Sequence, residues 1–329
     1  MVSLKDKVQN ALDEARMLIL GAQVLVGFQF GVVLNQGFGK LSVVSQYLNV
    51  AALFLMLLAV ALLMAPGTYH QIVEEGRDTK GLLRYSTELM KTALLPFALA
   101  FGIDVYIVIG KIAGELVQIV AGVITFIVAM FFWYGLEMIR KYGESEHEHH
   151  SAKEKPENES NGKTELKDKI KQVLTEARVV LPGSQALLGF QFAAIVESGF
   201  DQLPASSKYV HVASLALVAI SIILLMTPAA YHRIVEEGED TEHFHRLATW
   251  VLIAAMIPLG MGICGDFFLV IRKVTGSVAL ALAGSITMLI FFYALWFGFT
   301  AYRRYVKAKS PRSSEYRRHA SDSSLPVSR

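Results

Sequence analysis

Two aspartates, Asp104 and Asp266, stand inside long apolar stretches at equivalent places in two similar halves of the sequence. A charged side chain at such depth costs roughly 2.5–3.5 kcal/mol on insertion scales, so it usually faces a bundle interior or a wet cavity. Loss of water disfavours its ionised form, which suits a carboxyl that exchanges a proton or a monovalent cation such as Na+ or K+. The competing account is local neutralisation. Lys111 and Lys273 follow seven residues on, two helical turns away on the same face, and either can snorkel to the outer interface. Gln23 and Gln185 recur in both first spans, as do Gln29 and Gln191. An amide oxygen can help hold a cation, and Gln23 and Gln185 are the expected helpers of the aspartates. The commoner use of such an amide is a hydrogen bond between helices.

A second set is charged. Glu14, Arg16 and His70 fall at the inner ends of the first two spans, with counterparts Glu176, Arg178 and His232. Each set is expected to form a cluster. Histidine titrates near physiological pH, so His70 and His232 can sense pH or relay protons; the plain reading is an interfacial anchor beside a tyrosine. Pro96 and Pro258 lie eight residues before the aspartates and are expected to loosen the third span of each half. The histidines of EHEHH (147–150) read as part of a solvated acidic stretch. His211, which stands where the first half has Asn49, has no partner by that comparison.

These residues need helices to hold them. Of the 329 residues, 53% are hydrophobic, gathered in runs long enough to cross a bilayer, which takes about 20 residues. The stretch EARMLILGAQVLVGFQF from Glu14 returns as EARVVLPGSQALLGFQF from Glu176, with ten of seventeen positions identical. The expected fold is an all-α membrane protein of eight spans, at 17–34, 43–65, 92–109, 116–139, 179–196, 205–227, 250–271 and 277–300. They form two parallel four-helix repeats, related by a pseudo-two-fold along the membrane normal. Repeat one is 1–142 and repeat two 164–304. A polar linker, 143–163, and a basic, serine-rich tail, 305–329, are expected to be disordered. Residues 3–16 are expected to lie along the membrane surface, and 67–87 and 229–249 to be polar loops.

Of the 31 Lys and Arg, 26 fall on the face with both termini and these loops, which puts that face in the cytoplasm. The charged, amphipathic start is unlike a cleavable signal peptide. The single cysteine, Cys264, excludes an internal disulfide. No nucleotide-binding or zinc-protease motif occurs, and no intramembrane histidine pair recurs for haem. No enzyme activity, cofactor, metal or nucleic-acid partner is expected. The basic tail directly abuts a span, which points to anionic lipid.

The leader LDEAR at 12–16, the Gly21–Gln23 triplet, Pro66 and the Tyr69-His70 pair resemble a bacterial membrane family of unknown function. The second half offers LTEAR at 174–178, Gly183 with Gln185, Pro228 and Tyr231-His232. Members are usually single four-span units and are sometimes labelled sodium:proton antiporter. The resemblance implies a bacterial inner-membrane protein in which a pair of units has been fused by tandem duplication. It raises transport as the leading function: exchange of a monovalent cation and protons at Asp104 and Asp266. The alternative is a non-transporting accessory protein that binds a partner through its cytoplasmic loops. Further self-association of the fused pair is left open.

Overall fold

The computed structural model describes residues 4–110, 112–135, 166–236, 239 and 241–309. Its long helices are α1 (Leu4–Leu34), α2 (Val43–Ile72), α3 (Lys80–Ile109), α4 (Glu115–Met130), α5 (Leu166–Ile195), α6 (Ala205–Ile234), α7 (Glu242–Thr275) and α8 (Val278–Tyr293). A short α9 (Phe299–Lys309) continues α8. One wide helical turn, Phe131–Gly135, follows α4, and another, Ala294–Gly298, joins α8 to α9. No strand occurs among the described residues. Seven of these helical stretches are long and apolar enough to cross a membrane, and the protein is an integral membrane protein. On α4 the apolar residues Val117, Val120, Ile124 and Ile127 all face outward, as lipid contact requires.

The helices are longer than the sequence reading expects. Residues 3–16 are not a separate surface helix, because α1 runs from Leu4 into the span without a break. Pro66 does not end α2, nor Pro228 α6; each helix continues six residues past its proline. The 67–87 and 229–249 loops therefore shrink to the short stretches after Ile72 and after Ile234. Their ends are set by caps. Thr79 accepts a hydrogen bond from the Leu82 amide, and its counterpart Thr241 from the Phe244 amide. Residues 305–309, expected in the disordered tail, close α9. The linker 143–163, the rest of the tail and the end of the fourth expected span lie outside the described residues.

Prolines are tolerated because neighbours take up the loosened backbone. Beside Pro258, Ser221 Oγ donates to Ala255 O at 2.8 Å and Tyr293 Oη to Ile257 O at 2.7 Å. Glycines allow one close crossing: a Cβ on Gly102 would stand 3.0 Å from Gly122 O, so α3 and α4 touch backbone to backbone there.

In each half the first helix packs on the second and third, and the third on the fourth. The halves meet along α1 and α5. Phe28 meets its own counterpart Phe190, ring centroids 4.7 Å apart, and Asn35 Nδ2 reaches its counterpart Glu197 at 3.4 Å. Outside that seam the halves differ. α7 and the Ala294–Gly298 turn pack on α2, and α2 is 67% buried across its apolar window. Its counterpart α6 is 28% buried. Trp296 is fully buried and donates its indole N–H to Ala61 O of α2 at 2.9 Å. Past it, Lys307 reaches Glu74 at 2.5 Å and Arg304 reaches Glu75 at 3.4 Å.

Candidate functional site

Each aspartate is held by a glutamine from the first helix of its own half. Gln29 Nε2 donates to Asp104 Oδ2 at 2.8 Å, and Gln191 Nε2 to Asp266 Oδ2 at 2.7 Å. The helper is thus not the glutamine the sequence reading chose. Gln23 is fully buried in the seam, packed against Gly183, with no hydrogen-bond partner for its amide. Gln185 is exposed. Neither meets an aspartate. The geometry follows from helix pitch: six residues along a helix turn the side chain by about 240°, so Gln23 and Gln29 cannot face the same neighbour. Depth agrees. Gln29 and Asp104 each lie five residues before the outer ends of α1 and α3. The expected lysine partner is not at Asp266 either. Lys273 lines an outer recess with Gln46 and Gln202, while Lys111 lies outside the described residues.

The two carboxyls differ in surroundings. Asp104 is half-buried, whereas Asp266 is 8% exposed. Beside Asp266 stands His211 of α6, fully buried between Phe30 and Phe200, with ring centroids 5.9 and 5.2 Å away. Its Nε2 meets Gln191 O at 3.0 Å, and its Nδ1 faces Asp266 Oδ1 at 3.8 Å. Comparison of the halves by sequence misses this residue, because Asn49 at the equivalent position cannot titrate. What could have found it is its type, an ionisable ring in an apolar span.

The charged residues Glu14, Arg16 and His70 and their counterparts do not form two matching clusters. Two of them, His70 and Glu176, join one network across the seam. His70 Nδ1 meets Glu176 Oε1 at 2.8 Å, Gln71 Nε2 donates to Glu176 Oε2 at 2.9 Å, and Thr249 Oγ1 donates to Gln71 Oε1 at 3.2 Å. His70 and Glu176 are buried, which is sustainable because each carboxylate oxygen has a partner. Glu14, the counterpart of Glu176, is exposed, and so is Arg178. Arg16 is buried and pairs with Asp13 on its own helix. His232 packs on Phe244, centroids 4.6 Å apart. Gln172 adds a further tie between the halves by donating to Asp78 at 2.9 Å. Among the described residues, no three His, Cys, Asp or Glu side chains converge as a metal-ligand set.

The comparison with protein families matches one family twice along the chain, at residues 4–137 and 159–300. The chain belongs to DUF6328, a family of unknown function. The two matches take in both Gln–Asp pairs, His211, and the His70–Glu176 network. No curated protein and no solved structure matches the chain.

Proposed function

We propose that this DUF6328 protein is a secondary transporter that exchanges a monovalent cation and protons at Asp104 and Asp266. The observation that carries the reading is the repeated Gln–Asp hydrogen bond inside the spans, at 2.8 Å in one half and 2.7 Å in the other. In each pair the amide fixes one carboxylate oxygen, Oδ2, and leaves Oδ1 to bind and release a proton or cation. An isolated carboxyl in the bilayer is costly, and such residues commonly mark ion pathways.

The architecture proposed with it is eight spans in two parallel four-helix repeats, arisen by tandem duplication. α5 supplies the eighth span; its 30 residues reach about 45 Å, enough for a bilayer core of about 30 Å. Contacts between counterparts, Phe28 with Phe190 and Asn35 with Glu197, support a pseudo-two-fold along α1 and α5. The lysine and arginine bias supports both termini in the cytoplasm, and the family resemblance carries the bacterial inner membrane as part of the proposal.

The cytoplasmic network favours a second reading, a non-transporting accessory protein. Its buried groups tie the halves together, and beside them Arg77, paired with Glu75, stands exposed at the α2–α3 turn toward a partner. Proteoliposomes with a trapped pH dye and imposed Na+, K+ or Li+ gradients decide between them. The expected result is cation-dependent proton flux in the natural protein and its loss in the Asp104→Asn, Asp266→Asn double variant. No flux from folded natural protein overturns the transport reading.

A further inference from the structure

We propose that Asp266 and His211 hold one proton between them. The argument rests on which atoms can donate. Gln191 O is a carbonyl and only accepts, so His211 Nε2 carries the hydrogen of that 3.0 Å contact. The neutral imidazole then presents a bare lone pair at Nδ1. On the other side, Gln191 Nε2 donates to Asp266 Oδ2, so Oδ2 is an acceptor. A proton on this carboxyl belongs on Oδ1, the oxygen that faces Nδ1 at 3.8 Å.

Both facing atoms are buried and have no hydrogen-bond partner. With no proton between them, two lone pairs would oppose each other in an apolar site, a costly arrangement. With one proton, Oδ1–H faces an acceptor. The transfer balances without a co-reactant. The Oδ1–H bond breaks, an Nδ1–H bond forms, and the carboxylic acid and neutral imidazole become a carboxylate and an imidazolium. An approach of about 1 Å from the 3.8 Å separation brings Oδ1–H within hydrogen-bond reach of Nδ1. A cavity of about 10 Å3 reaches Asp266 and is not lined by His211.

The surroundings offer no stronger claimant for the proton. α1, α2 and α5 present Val26, Phe30, Leu53, Leu57 and Leu187 to that cavity, and Asp266 is its one polar residue. α7 adds the thiol of Cys264, which lies buried. Lys208 of α6 is occupied with Asp201 O at 3.1 Å and the Phe200 ring. In the first half Asn49 stands where His211 does, so Asp104 has no proton-sharing ring at that place. The shared proton itself needs no transport; its use in exchange rests on the proposed function.

Infrared difference spectroscopy on the full chain in bilayers tests the proposal, with Asp266→Asn assigning the carboxylic-acid band. In His211→Asn, which installs the first half's residue, the band is expected to move to higher wavenumber as the O–H···N contact is lost. A band that stays in place overturns the proposal. 15N NMR of His211 in the natural protein needs no variant: Nε2 is expected as the protonated nitrogen and Nδ1 as the acceptor. The reverse assignment overturns the proposal as well. Both measurements read the proton whether or not vesicles exchange ions, so a silent flux assay overturns transport alone.

Discussion

The two halves of this chain share a plan and do not share an environment. α2 sits inside, covered by α7 and by the Ala294–Gly298 turn, while its counterpart α6 lies mostly at the edge. Glu176 is buried in a network across the seam, and Glu14 faces outward. Asp266 is enclosed beside a histidine, and Asp104 is half-buried beside a glutamine. Similar sequences within one chain need not sit in equal surroundings. In a pair of identical chains every contact is made twice, so a substitution acts on both sides. A single chain can change one side and keep the other.

Three comparisons of counterparts sharpen this difference, and each reads unfolding of the purified protein in detergent. The largest effect belongs to Trp296→Ala, which removes a fully buried ring and its bond to Ala61 O. It is expected to cost about 3–5 kcal/mol. Tyr134→Ala, at the equivalent place, is expected to cost clearly less, because Tyr134 bonds to Lys91 O within its own half. Equal losses would mean that anchoring Trp296 on the other half is immaterial. Next comes Glu176→Ala. It leaves His70 and Gln71 buried without their acceptor, at a cost of about 2–3 kcal/mol. Glu14→Ala, on the exposed side, is expected within about 0.5 kcal/mol of the natural protein. A matching loss at Glu14 would restore the symmetric picture. The smallest contrast is between glycines. A Cβ on Gly199 would stand 2.1 Å from Leu34 O across the seam, whereas on Gly37 it would meet only the Asn35 side chain, at 3.3 Å. Gly199→Ala is expected to cost about 1–3 kcal/mol. Gly37→Ala should change little, and a cost at Gly37 equal to that at Gly199 would break the contrast.

The long apolar helices were legible from pattern alone, because burial in lipid leaves few residue types to choose from. The extent of the helices was not. Pro66 and the charged residues after it read as a stop, but α2 keeps its helical bonds to Ile72 and ends where the Val73 amide closes on Tyr69 O. The expectation of Gln23 rather than Gln29 failed because composition does not say which face of α1 meets α3. Counting from the outer helix ends would have favoured Gln29. The role of His211 was hidden by the very test applied to it. A search for features common to both halves discards whatever one half has acquired alone.

The bond from Trp296 to Ala61 spans 235 residues of sequence. Synthesis runs from the N-terminus, so α2 is made long before the residue that covers it. Until the last helix is inserted, one side of α2 and the carboxylates of Glu74 and Glu75 wait without Trp296, Lys307 and Arg304. The order of manufacture thus leaves a visible sign of incompleteness on the oldest part of the protein. A chain cut short by a few dozen residues would keep nearly all of its spans and still display that unfinished flank to the cell's quality-control proteases.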